Sequence, residues 1–239
     1  MPLPKIVTPT YELELPSTKE TIKYRPFLVK EEKVLVLALE SEDTKQITTA
    51  IKAVLKSCVQ TKGIKVEQLP TFDIEFLFLN IRGKSVGEET ELKITAPDDG
   101  VTSISVTLSL DDIRVQETEG HSKQIKLDDN LMMEMKYPSL EQFIKSNFDF
   151  NDENNMQKSF ELIGSCVDKI YSDEEVWSAS DCTKKEIIDF LEQMNSLQFK
   201  KIESFFETMP KLSHTIKVRN PVTKVESDVT LEGLSSFFG

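Results

Sequence analysis

An α+β fold, mostly helical but punctuated by β-hairpins and arranged as two pseudo-repeated halves, is the fold class this sequence predicts. Three observations carry it. The stretches TELKITAPDDGVTSISVTL (Thr90 to Leu108) and TIKVRNPVTKVESDVTL (Thr215 to Leu231) each alternate β-branched and polar residues around a proline turn, which is the pattern of a hairpin. Between them lie longer stretches whose apolar residues recur at helical spacing. The order of hairpins and helices in the first part of the chain also recurs in the second.

Taken in order, YELELP (Tyr11 to Pro16) and TIKYRPF (Thr21 to Phe27) form a hairpin whose second strand ends where Pro26 lacks a donor. The dense apolar residues from Lys30 to Leu39 predict a helix. So do Ile47, Ile51, Val54, Leu55 and Cys58 between Thr44 and Val59. In LPTFDIEFLFLNIRG (Leu69 to Gly83), Thr71 has the chemistry of an N-cap and Gly83 that of a stop. The first proline hairpin follows and continues through Ser109 to Val115. A polar crossing at Glu117 to Lys123 leads to a further hairpin at Ile125 to Pro138. Helices are then predicted over Ser139 to Phe148, Glu153 to Tyr171 and Asp181 to Thr208, ahead of the second proline hairpin and an apolar tail.

The two parts share words as well as order. Lys-Tyr ends a hairpin at Tyr24 and at Tyr137, Ser-Cys-Val recurs at Ser57 to Val59 and Ser165 to Val167, and a threonine opens a helix at Thr71 and Thr183. This predicts a duplicated unit of roughly 110 residues, with halves at 1–117 and 118–239.

The chain has 239 residues, enough to bury a core without staples. Its 41 acidic against 29 basic residues give a net charge of −12, which argues against nucleic acid or an anionic membrane as partner and in favour of proteins. No apolar run reaches the roughly 18 residues of a membrane span. Three cysteines and no leader-like N-terminal segment point to a reducing cytoplasm.

Chemical motifs are sparse. His121 and His214 fall in no metal-ligand spacing, Cys58 and Cys166 lie in amphipathic helical stretches as small apolar residues, and Cys182 near a helix start has no evident partner. The pairs Asp98/Asp99, Asp111/Asp112 and Asp128/Asp129 sit in or beside turns, where aspartate bonds its own backbone. The stretch DFNDENN from Asp149 lacks the glycine and glutamate of a calcium loop, and RGKS at Arg82 lacks the upstream glycine of a phosphate loop. APDDG (Ala96 to Gly100) has the outline of a zinc knuckle without its thiolates. No catalytic residue, metal ligand or cofactor site is predicted, and a small-molecule ligand is not favoured.

What remains is contact surface. Leu234, Phe237 and Phe238 form an apolar stripe in the tail, Trp177 stands in the acidic loop SDEEVWSASD, and Pro97 and Pro221 tip the two hairpins. These six residues are the candidate partner contacts.

With these segments in view, the chain resembles the base plate hub subunit or hub assembly family of T-even-type contractile-tailed bacteriophages, in the form carried by cyanophages. The resemblance rests on MPLPKIVTPTYELELPS, KYRPFLVKEEKVLVLALESEDTKQITTAIK, TFDIEFLFLNIRGKSVGE, ASDCTKKEIIDFLE and FFETMPKLSHTIKVRNP with LEGLSSFFG. It implies a late viral protein, without catalytic motif, that helps to build the central hub among other hub proteins. Its place would be the host cytoplasm during assembly or the tail base plate of the virion. The alternatives are a hub-associated cell-wall hydrolase and a peptide-binding regulatory module.

Overall fold

The computed structural model describes residues 6–41, 43–139, 142, 156–233 and 236. Among them are six α-helices and eleven strands in small antiparallel sheets. The fold is mixed α+β, 40% helical and 28% strand, rather than mostly helical.

The chain divides into two compact units. The first comprises Met1–Val66, Phe72–Gln116 and Lys211–Gly239, and the second Glu67–Thr71 and Glu117–Pro210. These differ from halves cut at 117 because residues 211–239 cluster with the first unit.

In the first unit, β1 (Tyr11–Glu14) and β2 (Thr21–Tyr24) pair as a hairpin with Leu13 opposite Ile22. Helices α1 (Val29–Glu40) and α2 (Thr44–Cys58) follow, the second capped by Asp43, whose carboxylate accepts the Lys45 N–H at 2.8 Å. Helix α3 (Thr71–Val86) buries residues on most of its sides, among them Phe72, Ile74, Leu77, Leu79 and Ile81, and so forms the axis of this unit. Two expectations for α3 change. Thr71 is its first helical residue, with a buried hydroxyl that has no hydrogen-bond partner, and the helix passes through Gly83 to end at Gly87, whose φ of 124° suits only glycine. Gly83 lies inside the helix against Leu110: a Cβ there would make an ordinary contact of 3.6 Å with Leu110 Cδ1.

The hairpin β3 (Glu89–Thr95) with β4 (Ser103–Ser109) and the sheet β11–β10–β5 (Glu226–Glu232, Lys211–Arg219, Arg114–Gln116) complete the unit. Leu92, Ile94, Leu108, Leu212, Ile216, Val218 and Leu231 pack with Leu79 in one cluster. Pairing of Leu212 with Val115 makes the short β5 a sheet member.

The second unit holds the sheet β6–β7–β8–β9 (Gln124–Lys126, Met132–Met135, Val167–Tyr171, Val176–Ser178) and helices α4 (Met156–Cys166), α5 (Lys184–Glu192) and α6 (Ser196–Thr208). Met133, Met135, Leu162, Cys166, Leu191, Ile202 and Phe206 form its core. The helix expected over Glu153 to Tyr171 is a helix only as far as Cys166. Val-Asp-Lys-Ile-Tyr then alternates and pairs with β7. The single helix expected over Asp181 to Thr208 is two, because Asn195 caps α6 in a reciprocal box with Gln198. Most of the helix expected at Ser139 to Phe148 lies outside the described residues.

One backbone joint occurs in both units. In the first, Tyr24 bridges to Val59 and the Arg25 N–H donates to the Cys58 carbonyl at 3.0 Å. In the second, Met135 pairs with Val167 and the Lys136 N–H donates to the Cys166 carbonyl at 2.7 Å. By this register Tyr24 corresponds to Met135, not to Tyr137 two residues on.

Candidate protein-contact site

Three turns share one geometry. In Leu15 to Lys19, Ala96 to Gly100 and Asn220 to Lys224, proline stands second and the N–H of the fifth residue donates to the carbonyl of the first, at 2.8, 2.9 and 3.0 Å. The fifth residue is left-handed in each: Lys19 at φ 58°, Gly100 at 68° and Lys224 at 67°. The first residues, Leu15, Ala96 and Asn220, are buried, while Pro97 and Pro221 are exposed at their tips. The sequence showed two of these turns; the third, at Pro16, carries the same spacing.

The turns at Pro97 and Pro221 are clipped together. Asn220 Nδ2 donates to Asp98 Oδ1 at 3.0 Å and to Asp99 Oδ2 at 2.8 Å, and the Thr223 hydroxyl donates to Asp98. Asp99 also accepts the N–H groups of Val101 and Thr102 and the Thr102 hydroxyl. Hydrogen bonds from Thr223 and Asn220 lower the Asp98 pKa, and those from Thr102, Val101 and Asn220 hold Asp99 far below the usual carboxylate range. The knuckle-shaped APDDG therefore spends both carboxylates on fastening hairpins. Pro97 and Pro221 thereby project from one braced platform.

Several large apolar side chains are exposed on α1, for which the sequence predicts a helix and no contact role. Val36, Leu37 and Leu39 are 46%, 67% and 57% exposed, while Leu35 and Ala38 on the other side are buried. Val29 and Val34 extend this face. Alongside it runs a groove of about 690 Å³ among α1, α2 and α3, lined by Leu35, Leu39, Ile47, Ile51, Phe78 and Val86. The six consecutive apolar residues VLVLAL fill the second half of α1, so apolar side chains stand on its solvent side as well as on its core side, beside the exposed Lys33 and Glu40.

A buried ionic cluster anchors α1. Arg25 Nη2 lies 3.0 Å from Glu31 Oε1, the Ser57 hydroxyl donates to the same oxygen at 2.8 Å, and the Leu28 N–H donates to Glu31 Oε2 at 2.7 Å. Burial raises the Glu31 pKa, but the bonds from Arg25, Leu28 and Ser57 outweigh it and bring it to about 2. The charged pair thereby fixes the start of the exposed helix.

In the second unit Trp177 is 42% exposed on β9, beside Val176 at 68%. Leu234, Phe237 and Phe238 lie outside the described residues. His121 is enclosed: Nδ1 lies 2.9 Å from Thr208 Oγ1, Nε2 lies 3.0 Å from Tyr137 Oη, and the ring packs on Tyr137 and Phe205. The Thr208 hydroxyl already donates to the Ser204 carbonyl, so it accepts from Nδ1–H and leaves Nε2 to accept from Tyr137. His121 is thus a neutral hydrogen-bonded residue, its pKa lowered by burial and by Lys123. Burial pushes the Cys58 and Cys166 thiols up to about 11 and about 12, and Cys182 Sγ faces the Ser178 carbonyl at 3.5 Å. Among the described residues no group of three or more His, Cys, Asp or Glu is placed to hold a metal ion, and no helix is long and apolar enough to cross a membrane.

A braced hairpin platform and an uncovered apolar helix are features of a protein built to be packed against. The sequence profile of the family described as T4 bacteriophage base plate protein matches residues 8–239. The chain belongs to this family. No curated protein and no solved structure matches it significantly. As a base plate protein it is a structural component of the phage tail, which interacts with other base plate proteins.

Proposed function

We propose that this base plate protein helps to build the central hub of the tail base plate, without catalysing a reaction, and that its principal partner surface is the exposed face of α1 with its groove. The observation that carries this is Val36, Leu37 and Leu39 standing together in water on a helix anchored by a buried ion pair. Such a face gains roughly 25 cal/mol for each Å² it buries against a partner. Pro97, Pro221, Trp177 and the tail residues Leu234, Phe237 and Phe238 are secondary contacts in the same reading. Assembly in the host cytoplasm follows from it. The joint shared by the two units supports their descent from a duplicated ancestor.

The test is co-purification with the other hub proteins, expressed together. Leu37→Glu with Leu39→Glu abolishes the association while the circular dichroism stays that of the wild type; retention of full binding by this variant overturns the α1 assignment. Mass spectrometry of purified particles and of assembly intermediates distinguishes a resident subunit from an assembly factor. Absence of the chain from hub-containing intermediates and from base plates alike rejects the hub reading.

A further inference from the structure

The second unit contains a groove of about 700 Å³ bordered by α4 and α5. Its walls carry Lys136, Lys158, Lys184 and Lys185 against Glu161, a local net of three positive charges in a chain whose overall charge is −12. None of these lysines makes an ion pair among the described residues. Leu162 and Ile187 supply an apolar floor, and Gly164 of α4 lies against α5 there, its Cβ position 3.4 Å from Ile187 Cγ2.

The same unit carries the complement. The turn between β8 and β9 presents Asp173, Glu174 and Glu175, all exposed and without ion pairs among the described residues, directly followed by exposed Val176 and Trp177. It is already ordered: the Ser172 N–H donates to the Glu175 carbonyl at 2.8 Å, and the Ser172 hydroxyl accepts the N–H groups of Glu174 and Glu175. Strand β9 is an edge of its sheet. Three negative charges and two apolar side chains in a fixed turn match three net positive charges around an apolar floor.

We propose that this groove receives the Asp173–Trp177 segment of a second copy of the chain. A single chain carries both members of the contact, so two copies related by a two-fold axis satisfy each other twice, with no third molecule. The proposal is independent of the α1 face and can fail without it.

Sedimentation equilibrium decides it. The wild type forms a dimer at low salt and dissociates as salt rises, because the contact is charged. K184E/K185E makes the groove acidic and E174K/E175K makes the turn basic; each variant alone self-associates at least about tenfold more weakly. Mixing the two restores the dimer, since each acidic groove then meets a basic turn and each basic groove an acidic one. A wild type that stays monomeric at low salt overturns the proposal, as does a mixture that associates no better than its separate components. Recovery on mixing also shows that both variants are folded.

Discussion

The end of β2 and the end of β7 are fastened by the same backbone bond to the carbonyl of a buried cysteine, yet the side chains around them differ in kind. In the first unit the residue after the strand is Arg25, and Ser57 at the helix end turns its hydroxyl to Glu31; arginine, glutamate and serine close the joint as a buried ionic cluster. In the second unit Lys136 is exposed and the Ser165 hydroxyl donates to the Leu162 carbonyl at 2.7 Å, with no carboxylate beside it comparable to Glu31 among the described residues. Closure there falls to a stack in which Tyr137 lies on Phe205 at 5.6 Å, with His121 beside both and Lys123 Nζ 4.6 Å above the Tyr137 ring. One backbone solution thus accepts an electrostatic or an aromatic closure, and the two should respond to different stresses.

The sharpest break is Glu31→Ala, which leaves the Arg25 guanidinium, only 14% exposed, without its carboxylate. A loss of about 3 to 5 kcal/mol is expected from chemical denaturation followed by circular dichroism. Next is Tyr137→Phe, which leaves His121 Nε2 without its donor and costs about 1 to 2 kcal/mol. Trp177, the only tryptophan and a member of the second unit, reports that loss by fluorescence.

Acid separates the joints further. The folded His121 pKa lies below the ordinary histidine value of 6.5, so the unfolded chain takes up this proton first and stability is lost as pH falls from about 6.5 toward the folded pKa. Glu31 behaves as a carboxylate with a depressed pKa: its contribution is present above the ordinary glutamate value of 4.5 and disappears as pH falls through about 2. The fluorescence midpoint should therefore begin to fall at a higher pH than the contribution of Glu31, and His121→Gln should flatten the first phase alone. The smallest contrast is between serines. Ser57→Ala removes a donor to a buried carboxylate and costs about 1 kcal/mol, whereas Ser165→Ala stays within about 0.5 kcal/mol.

The hairpins were legible because a proline turn between alternating strands has few other solutions, and α1 and α2 because their apolar spacing is helical. The missed breaks were signalled locally. Asn195 and Gln198 spell a capping box inside a longer helical pattern, and Val-Asp-Lys-Ile-Tyr alternates immediately after a helix, but a continuous apolar rhythm concealed both. The repeated Lys-Tyr was read two residues out of register because a short word does not fix which strand residue meets the helix end; the bridge from Met135 to Val167 does. Of the candidate contacts, the turns that expose Pro97 and Pro221 could be read directly, while a lone tryptophan in an acidic loop does not fix its own exposure. The α1 face could not, because an apolar helix looks the same in sequence whether it is buried or left for a partner.

The return of the chain at Lys211 has a consequence for synthesis. Leu212, Ile216, Val218 and Leu231 complete the cluster around Leu79 and Leu92, so the core of the first unit is assembled from segments translated before and after the second unit. While the ribosome is still making residues 117–210, β5 lacks β10, its one strand partner among the described residues, and the apolar side of β3 and β4 lacks these four side chains. The second unit has all its strands and helices by Pro210, so it can finish first. Synthesis of β10 and β11 then closes the first unit, so its completion, and that of the platform carrying Pro97 and Pro221, waits on residues that follow the second unit in the chain.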